Sequence, residues 1–183
     1  MTRIRRRPRA GQRDALLDAA FATLARTGDT RPEDVAREAG ASKALIFHHF
    51  RNLQGLHDAM VERVLRETQA GLDALAAEAP GPRDRLAALA RALLGEPPEP
   101  PAQARRVMRF WFADDERGRL RDGLVSDFVE KTLRELRARV DARVVASLLL
   151  ARWHGATAVY ANGGAIDFDA EAERALAELD GLF

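Results

Sequence analysis

The apolar positions of this chain recur at helical spacing almost from end to end. Over residues 10–27, Leu16, Leu17, Ala20, Phe21 and Leu24 fall three or four apart and share one helical face. Gly28 predicts a left-handed end to that helix. Thr30 with Glu33 three residues on reads as a capping box, with Pro32 tolerated in the first turn. Val35, Ala36 and Ala39 then point inward and Gly40 breaks the second helix. Ser42 is a good N-cap for a third helix, because its hydroxyl can take an orphan backbone N–H. Leu45 and Ile46 are placed to pack back on the first two helices, and Asn52 offers the next cap. A longer helix from Leu53 carries Leu56, Met60, Val64, Leu65, Leu72 and Leu75, and stops near Pro80-Gly81-Pro82.

The rest follows the same rule. Leu86, Leu89, Leu93 and Leu94 mark a short helix, and the proline-rich residues 96–101 form a stiff linker. Helices are predicted over residues 102–114, 118–140, 141–162 and 167–179. Strand-like alternation is missing and no repeat is found. The prediction is an all-α protein of roughly nine helices. Residues 1–52 would hold a basic arm and a three-helix bundle, and residues 53–183 a larger helical bundle.

Composition narrows the function classes. With 183 residues, 46% hydrophobic and 31% charged, the chain can bury a core and remain globular. The absence of cysteine removes disulfides, thiolate metal sites and cysteine nucleophiles. Ser42, Ser126 and Ser147 stand in no GxSxG elbow, and His48, His49, His57 and His154 form no HExxH pair. The expectation is no enzyme, no metal and no cofactor. The basic start lacks the apolar stretch of a secretory signal, and the longest apolar run is far short of the ~20 residues of a membrane span. A soluble, cytoplasmic protein is expected.

Charge is unevenly spread. Residues 1–51 hold 11 basic and 6 acidic side chains, a net of +5, and the remainder carries −4. A basic front and an acidic rear suggest that the front meets a polyanion. Three helices built around Phe21, Val35 and Ile46 would present the third outward, with Lys43, Ala44, Phe47 and His48 on its free face. Lys43 can donate to guanine or to a phosphate, and Ala44 and Phe47 can touch thymine methyls or sugars. His48 and His49 can donate to bases or phosphates, and Arg51 sits where a phosphate contact is expected. The basic arm, Arg3, Arg5, Arg6, Arg7 and Arg9, would follow the minor groove or add phosphate contacts. Helix–corner–helix units also occur in ordinary bundles. Two DNA readings stay open: a sequence-specific reader, or a basic architectural protein that reads no sequence.

The run Gly40-Ala41-Ser42-Lys43-Ala44-Leu45-Ile46-Phe47-His48-His49-Phe50 resembles the second half of the helix-turn-helix of the tetracycline-repressor (TetR) family. Arg13, Leu16-Leu17, Ala20, Gly28, Val35-Ala36 and Leu56 also fit, so the resemblance covers about residues 10–60. It implies an all-helical homodimer with an N-terminal domain for double-stranded DNA and a C-terminal domain for ligand sensing and dimerisation. The implied function is a repressor released from a palindromic operator by an unidentified small molecule. Base contacts would then fall to Lys43, Ala44, Leu45 and His48, behind the Ser42 cap. In the family, phosphate contacts come from a tyrosine at the position that Phe47 occupies here and from the neighbourhood of His49 and Arg51. Two positions depart from the family pattern. Phe47 replaces a tyrosine and Leu53 a lysine, which removes two phosphate grips and puts operator affinity in question.

In the C-terminal half, Phe110, Trp111, Phe128, Trp153 and His154 are ligand-pocket candidates, although rings at helical spacing serve a core as readily. Arg106-Val107-Met108-Arg109-Phe110-Trp111 and Trp153-His154-Gly155 are similar to BetI-like, choline-responsive regulators. That resemblance implies rings able to hold a quaternary ammonium by cation–π attraction; ligand identity diverges on shared folds, so choline itself does not follow. Small residues at Ala146, Ala151, Gly155, Ala156 and Ala158 suggest close helix approach across a dimer interface.

Overall fold

The computed structural model describes residues 9–95, 100–112, 115–136 and 140–181. These form nine α-helices and, among the described residues, no strand. In chain order they are α1 Arg9–Thr27, α2 Pro32–Glu38, α3 Lys43–Phe50, α4 Leu53–Glu78, α5 Pro82–Leu94, α6 Pro101–Phe112, α7 Asp115–Leu136, α8 Ala142–Ala161 and α9 Phe168–Gly181. The all-α expectation holds. Arg3, Arg5, Arg6 and Arg7 lie outside the described residues, as does the linker over residues 96–99. Of Arg9, the first residue of α1, only the backbone is described. No helix among the described residues is long and apolar enough to cross a membrane.

The chain divides into two units, Met1–Val64 and Leu65–Phe183, with the boundary inside α4. In the first unit, Leu16, Leu17, Ala20 and Leu24 of α1, Val35 and Ala36 of α2, and Ile46 and Phe50 of α3 are buried with Leu56 and Met60 of α4. Phe21 was expected at the centre of this core. It is only half-buried, and the Arg63 guanidinium lies over its ring at 5.7 Å. The neighbours Leu17, Ala20 and Leu24 already fill the inward face of α1, which leaves Phe21 at its margin.

The capping-box expectation at Thr30 and Glu33 is corrected. Arg31 occupies the N-cap of α2 and makes no side-chain cap bond. Thr30 is buried instead, and its hydroxyl meets His57 Nε2 at 2.6 Å. A hydroxyl committed to a tertiary partner is not available to cap its own helix. Ser42 behaves as expected: its Oγ accepts from the Leu45 N–H at 3.2 Å.

The second unit buries Leu86, Leu89 and Leu94 of α5, Val125, Val129 and Leu133 of α7, Val145, Leu149 and Leu150 of α8, and Phe168 and Leu179 of α9 in one cluster. Arg152 of α8 donates to Glu171 at 2.8 Å and also pairs with Glu178, which clasps α9 to α8. Helix α7 begins and ends earlier than its predicted span over residues 118–140, and Leu120, expected on its apolar face, is exposed.

Candidate functional site

The corner between α2 and α3 is set by backbone geometry. Gly40 has φ +59°, a left-handed value that side chains resist, and it turns the chain sharply after α2. The Ser42 cap then starts α3 in a new direction. Ile46 and Phe50 anchor α3 to the core, and Lys43, Ala44 and His48 are exposed on its opposite side. Leu45, Phe47 and His49 are half-buried along the edges.

The far end of α3 is more unusual. Arg51 adopts φ 65° and ψ −51°, the one positive φ of a non-glycine residue among the described residues. The Asn52 N–H donates back to the Phe50 carbonyl at 2.8 Å, two residues away. Together these define a γ-turn of the rare, strained positive-φ form centred on Arg51. Asn52 Oδ1 then accepts from the Gly55 N–H at 2.8 Å and caps α4. A Cβ on Gly55 would stand 2.1 Å from the Phe50 carbonyl oxygen, so no other residue fits this close return. Arg51 projects from this corner. Among the lysine and arginine side chains of residues 11–64 it alone makes no ion pair; Arg13, Arg26, Arg31, Arg37, Lys43 and Arg63 each have an acidic partner.

Lys43, although exposed, contacts two groups of the protein. It pairs with Glu33 on α2, and its ammonium lies 5.6 Å from the Phe47 ring centroid. The hydrogen bond from Lys43 holds the Glu33 carboxyl below its ordinary pKa. His49 Nε2 is buried without a hydrogen bond. Burial, with the nearby His48 and Arg13, pushes its pKa below the ordinary histidine value. His48, by contrast, faces solvent.

In the second unit the predicted rings divide. Trp111, Trp153 and His154 come together with Phe112: the Phe112 and His154 rings are 5.2 Å apart and nearly perpendicular, and Trp153 and His154 are 4.8 Å apart. Phe110 packs edge-on against Trp111. Phe128 instead lines a separate cavity of about 150 Å³ with Leu72, Arg85 and Leu124. At the centre of the Trp cluster lies a residue that the sequence reading did not single out. The Arg121 guanidinium sits 4.1 Å from the Trp153 ring centroid and 5.3 Å from that of Trp111. Burial lowers its pKa in spite of Asp122, 3.8 Å away. The available signal was an arginine in register with Val125, Phe128 and Val129, on an otherwise apolar stripe.

The exposed surface of α8 bears Val144, Leu148 and Val159, with Ala151 and Gly155 between them at helical spacing. Ala146 and Ala156 were expected there as well. Both are buried in the core of the second unit.

An exposed, cap-started helix of basic and apolar character, carried on a buried three-helix frame, has the form of a helix-turn-helix, and a second helical unit follows it. Residues 16–60 match the family described as bacterial regulatory proteins, tetR family. The chain is 38% identical over 80 residues to the HTH-type transcriptional regulator BetI of Agrobacterium fabrum, across 43% of this chain and 39% of that protein. It is 36% identical over 80 residues to BetI of Brucella suis, across 43% of this chain and 40% of that protein. The match thus spans about two fifths of the length of the curated relatives. A solved structure described as a transcriptional regulator from Pseudomonas aeruginosa superposes with TM-score 0.77 at 25% identity, covering 97% of this chain and 92% of that one. FadR from Bacillus subtilis, solved in complex with stearoyl-CoA, shares the fold with TM-score 0.68 at 14% identity, covering 91% and 96%. The N-terminal part of the chain, residues 16–60, is thus similar to the tetR family.

Proposed function

We propose that this chain is a homodimeric, sequence-specific DNA-binding regulator, acting as a repressor that a small molecule releases from a palindromic operator. The observation that carries the reading is the exposed face of α3. Lys43, Ala44 and His48 are exposed on the side that would face base edges, Lys43 resting on Glu33 in the unbound protein, while Ile46 and Phe50 fix the helix to its frame. Ser42, Leu45, Phe47, His49 and Arg51 border that face. TetR-family regulators bind DNA and are generally repressors, which supports the same reading. The exposed apolar stripe of α8 suits a two-fold partner, and two-fold symmetry would match a palindromic operator. The Trp111–Trp153–His154 cluster is the proposed effector region, and a fold neighbour that holds stearoyl-CoA supports a ligand site in this architecture.

The test is selection of bound sequences from random DNA, followed by titration of Lys43→Ala and His48→Ala. Both variants should lose more affinity for the selected palindrome than for random DNA. Equal losses would support the other reading, a basic protein that binds DNA by charge alone.

A further inference from the structure

Among the described residues, six buried side-chain polar atoms have no hydrogen-bond partner. Three of them, Arg121 Nε, Asp122 Oδ1 and His154 Nε2, lie together on the facing helices α7 and α8, and a fourth, Thr157 Oγ1, lies one turn further along α8. Buried polar atoms are nearly always satisfied, so a local concentration of orphans points to a polar group that belongs there. Thr157 makes the point by contrast. Thr23, Ser126 and Thr132 each donate to the carbonyl four residues back in their own helices, at 2.7–2.9 Å. Thr157 lies one turn beyond Trp153 and His154 and makes no such bond.

The chemistry of the missing group can be read from the atoms left over. His154 Nε2 and Asp122 Oδ1 face each other at 3.5 Å, just outside a hydrogen bond. A closure of well under 1 Å, with the imidazole proton on Nε2, satisfies both. The atoms that remain are then Arg121 Nε–H and the Thr157 hydroxyl. Both can donate, and one belongs to a cation. They call for an acceptor with negative charge. The aromatic faces are already occupied, because the Arg121 guanidinium lies against both the Trp153 and the Trp111 rings. A quaternary ammonium would have to displace that guanidinium and then lie against a second positive charge.

We propose that the α6–α7–α8 cluster binds an organic carboxylate with an apolar body, gripped by Arg121 and Thr157 beside the Trp111, Trp153 and Phe112 rings. This assignment rests on the effector reading above and names the ligand class for it. It also separates this chain from the quaternary-ammonium expectation drawn from its BetI-like residues. The rings are present, but the chain supplies its own cation to them.

Trp111 and Trp153 are the two tryptophans of the chain, and both contact Arg121, so intrinsic fluorescence reports on the site directly. The full-length protein is titrated with hexanoate, choline and hexanamide. Hexanoate should give a saturable change, with choline silent and hexanamide at least about tenfold weaker. Thr157→Val should weaken hexanoate by about tenfold and Arg121→Gln by about a hundredfold. Thr157→Val is nearly isosteric, so it keeps the test valid if loss of Arg121 disturbs folding, as checked by far-UV circular dichroism. Saturation by choline alone overturns the carboxylate assignment and leaves the effector reading standing. Equal binding of hexanoate and hexanamide, or hexanoate binding unchanged in both variants, overturns the assignment as well. Silence toward all three probes removes both the assignment and the effector role of this cluster, which then holds water only.

Discussion

Arg51→Gly should make the protein more stable and a poorer DNA binder, two effects of opposite sign from one residue. The stability gain comes from the backbone. A side-chain-bearing residue at φ 65° and ψ −51° carries strain of about 1–3 kcal/mol. Glycine reaches the same conformation without it, but loses about 0.4–1 kcal/mol through a freer unfolded chain. The net is a stabilisation of about 0.5–2 kcal/mol, or a rise in Tm of a few degrees for a chain of about this size. The loss of binding comes from the charge. Arg51 is exposed and has no acidic partner, so it is free to neutralise a phosphate. One phosphate contact contributes about 0.9 to the slope of log K against log salt, or about threefold in affinity across a fourfold change in salt. Arg51→Lys is the control, because it keeps both the positive φ and a cation and should change neither quantity much. The assays are differential scanning calorimetry and fluorescence anisotropy on duplex DNA between 0.05 and 0.2 M salt. A lower Tm for Arg51→Gly, or an unchanged salt slope, would refute the reasoning.

Other substitutions test other contacts. Glu33→Gln frees Lys43 in the unbound protein, so affinity for random DNA should rise and the salt slope steepen by up to about 0.9; an unchanged slope would mean that the pair does not restrain Lys43. Leu148→Glu places a charge in the exposed apolar stripe of α8 and should turn a dimer into a monomer at micromolar concentration, read by light scattering. Glu171 is held below its ordinary pKa of 4.5, chiefly by the hydrogen bond from Arg174 and further by Arg152. Its contribution is therefore present above pH 4.5 and is lost as pH falls through the lower folded value. Glu171→Gln should accordingly be less stable than the parent at pH 7, and the gap should close in acid; a gap that persists at pH 2 would refute the ionic cause. Deleting residues 1–9 should weaken binding on all sequences and flatten the salt slope, and an unchanged slope would show that the arm is idle.

The features readable from the sequence are those whose causes lie within a helical turn or two. Periodic burial placed all nine helices among the described residues, and Ser42 as the α3 cap could be read because its partner, Leu45, is three residues away. Where the partner is distant, local pattern misleads. Thr30 and Glu33 have the spacing of a capping box, yet each side chain is claimed from elsewhere: Thr30 by His57, 27 residues on, and Glu33 by Lys43, 10 residues on. Arg51 shows a further case. Nothing about an arginine announces a positive φ. The turn is dictated by the return of α4 onto the Phe50 carbonyl, and only Gly55 hints at that close approach.

The same distinction explains the ligand class. The rings at Trp111 and Trp153 are visible in the sequence and suggest a box for a cation. What the box accepts depends on Arg121, which reaches both rings only once α6, α7 and α8 have packed. An aromatic box occupied by the chain's own guanidinium has the opposite preference to an empty one. The identity of one side chain against two rings therefore outweighs the presence of the rings in deciding the charge of the ligand.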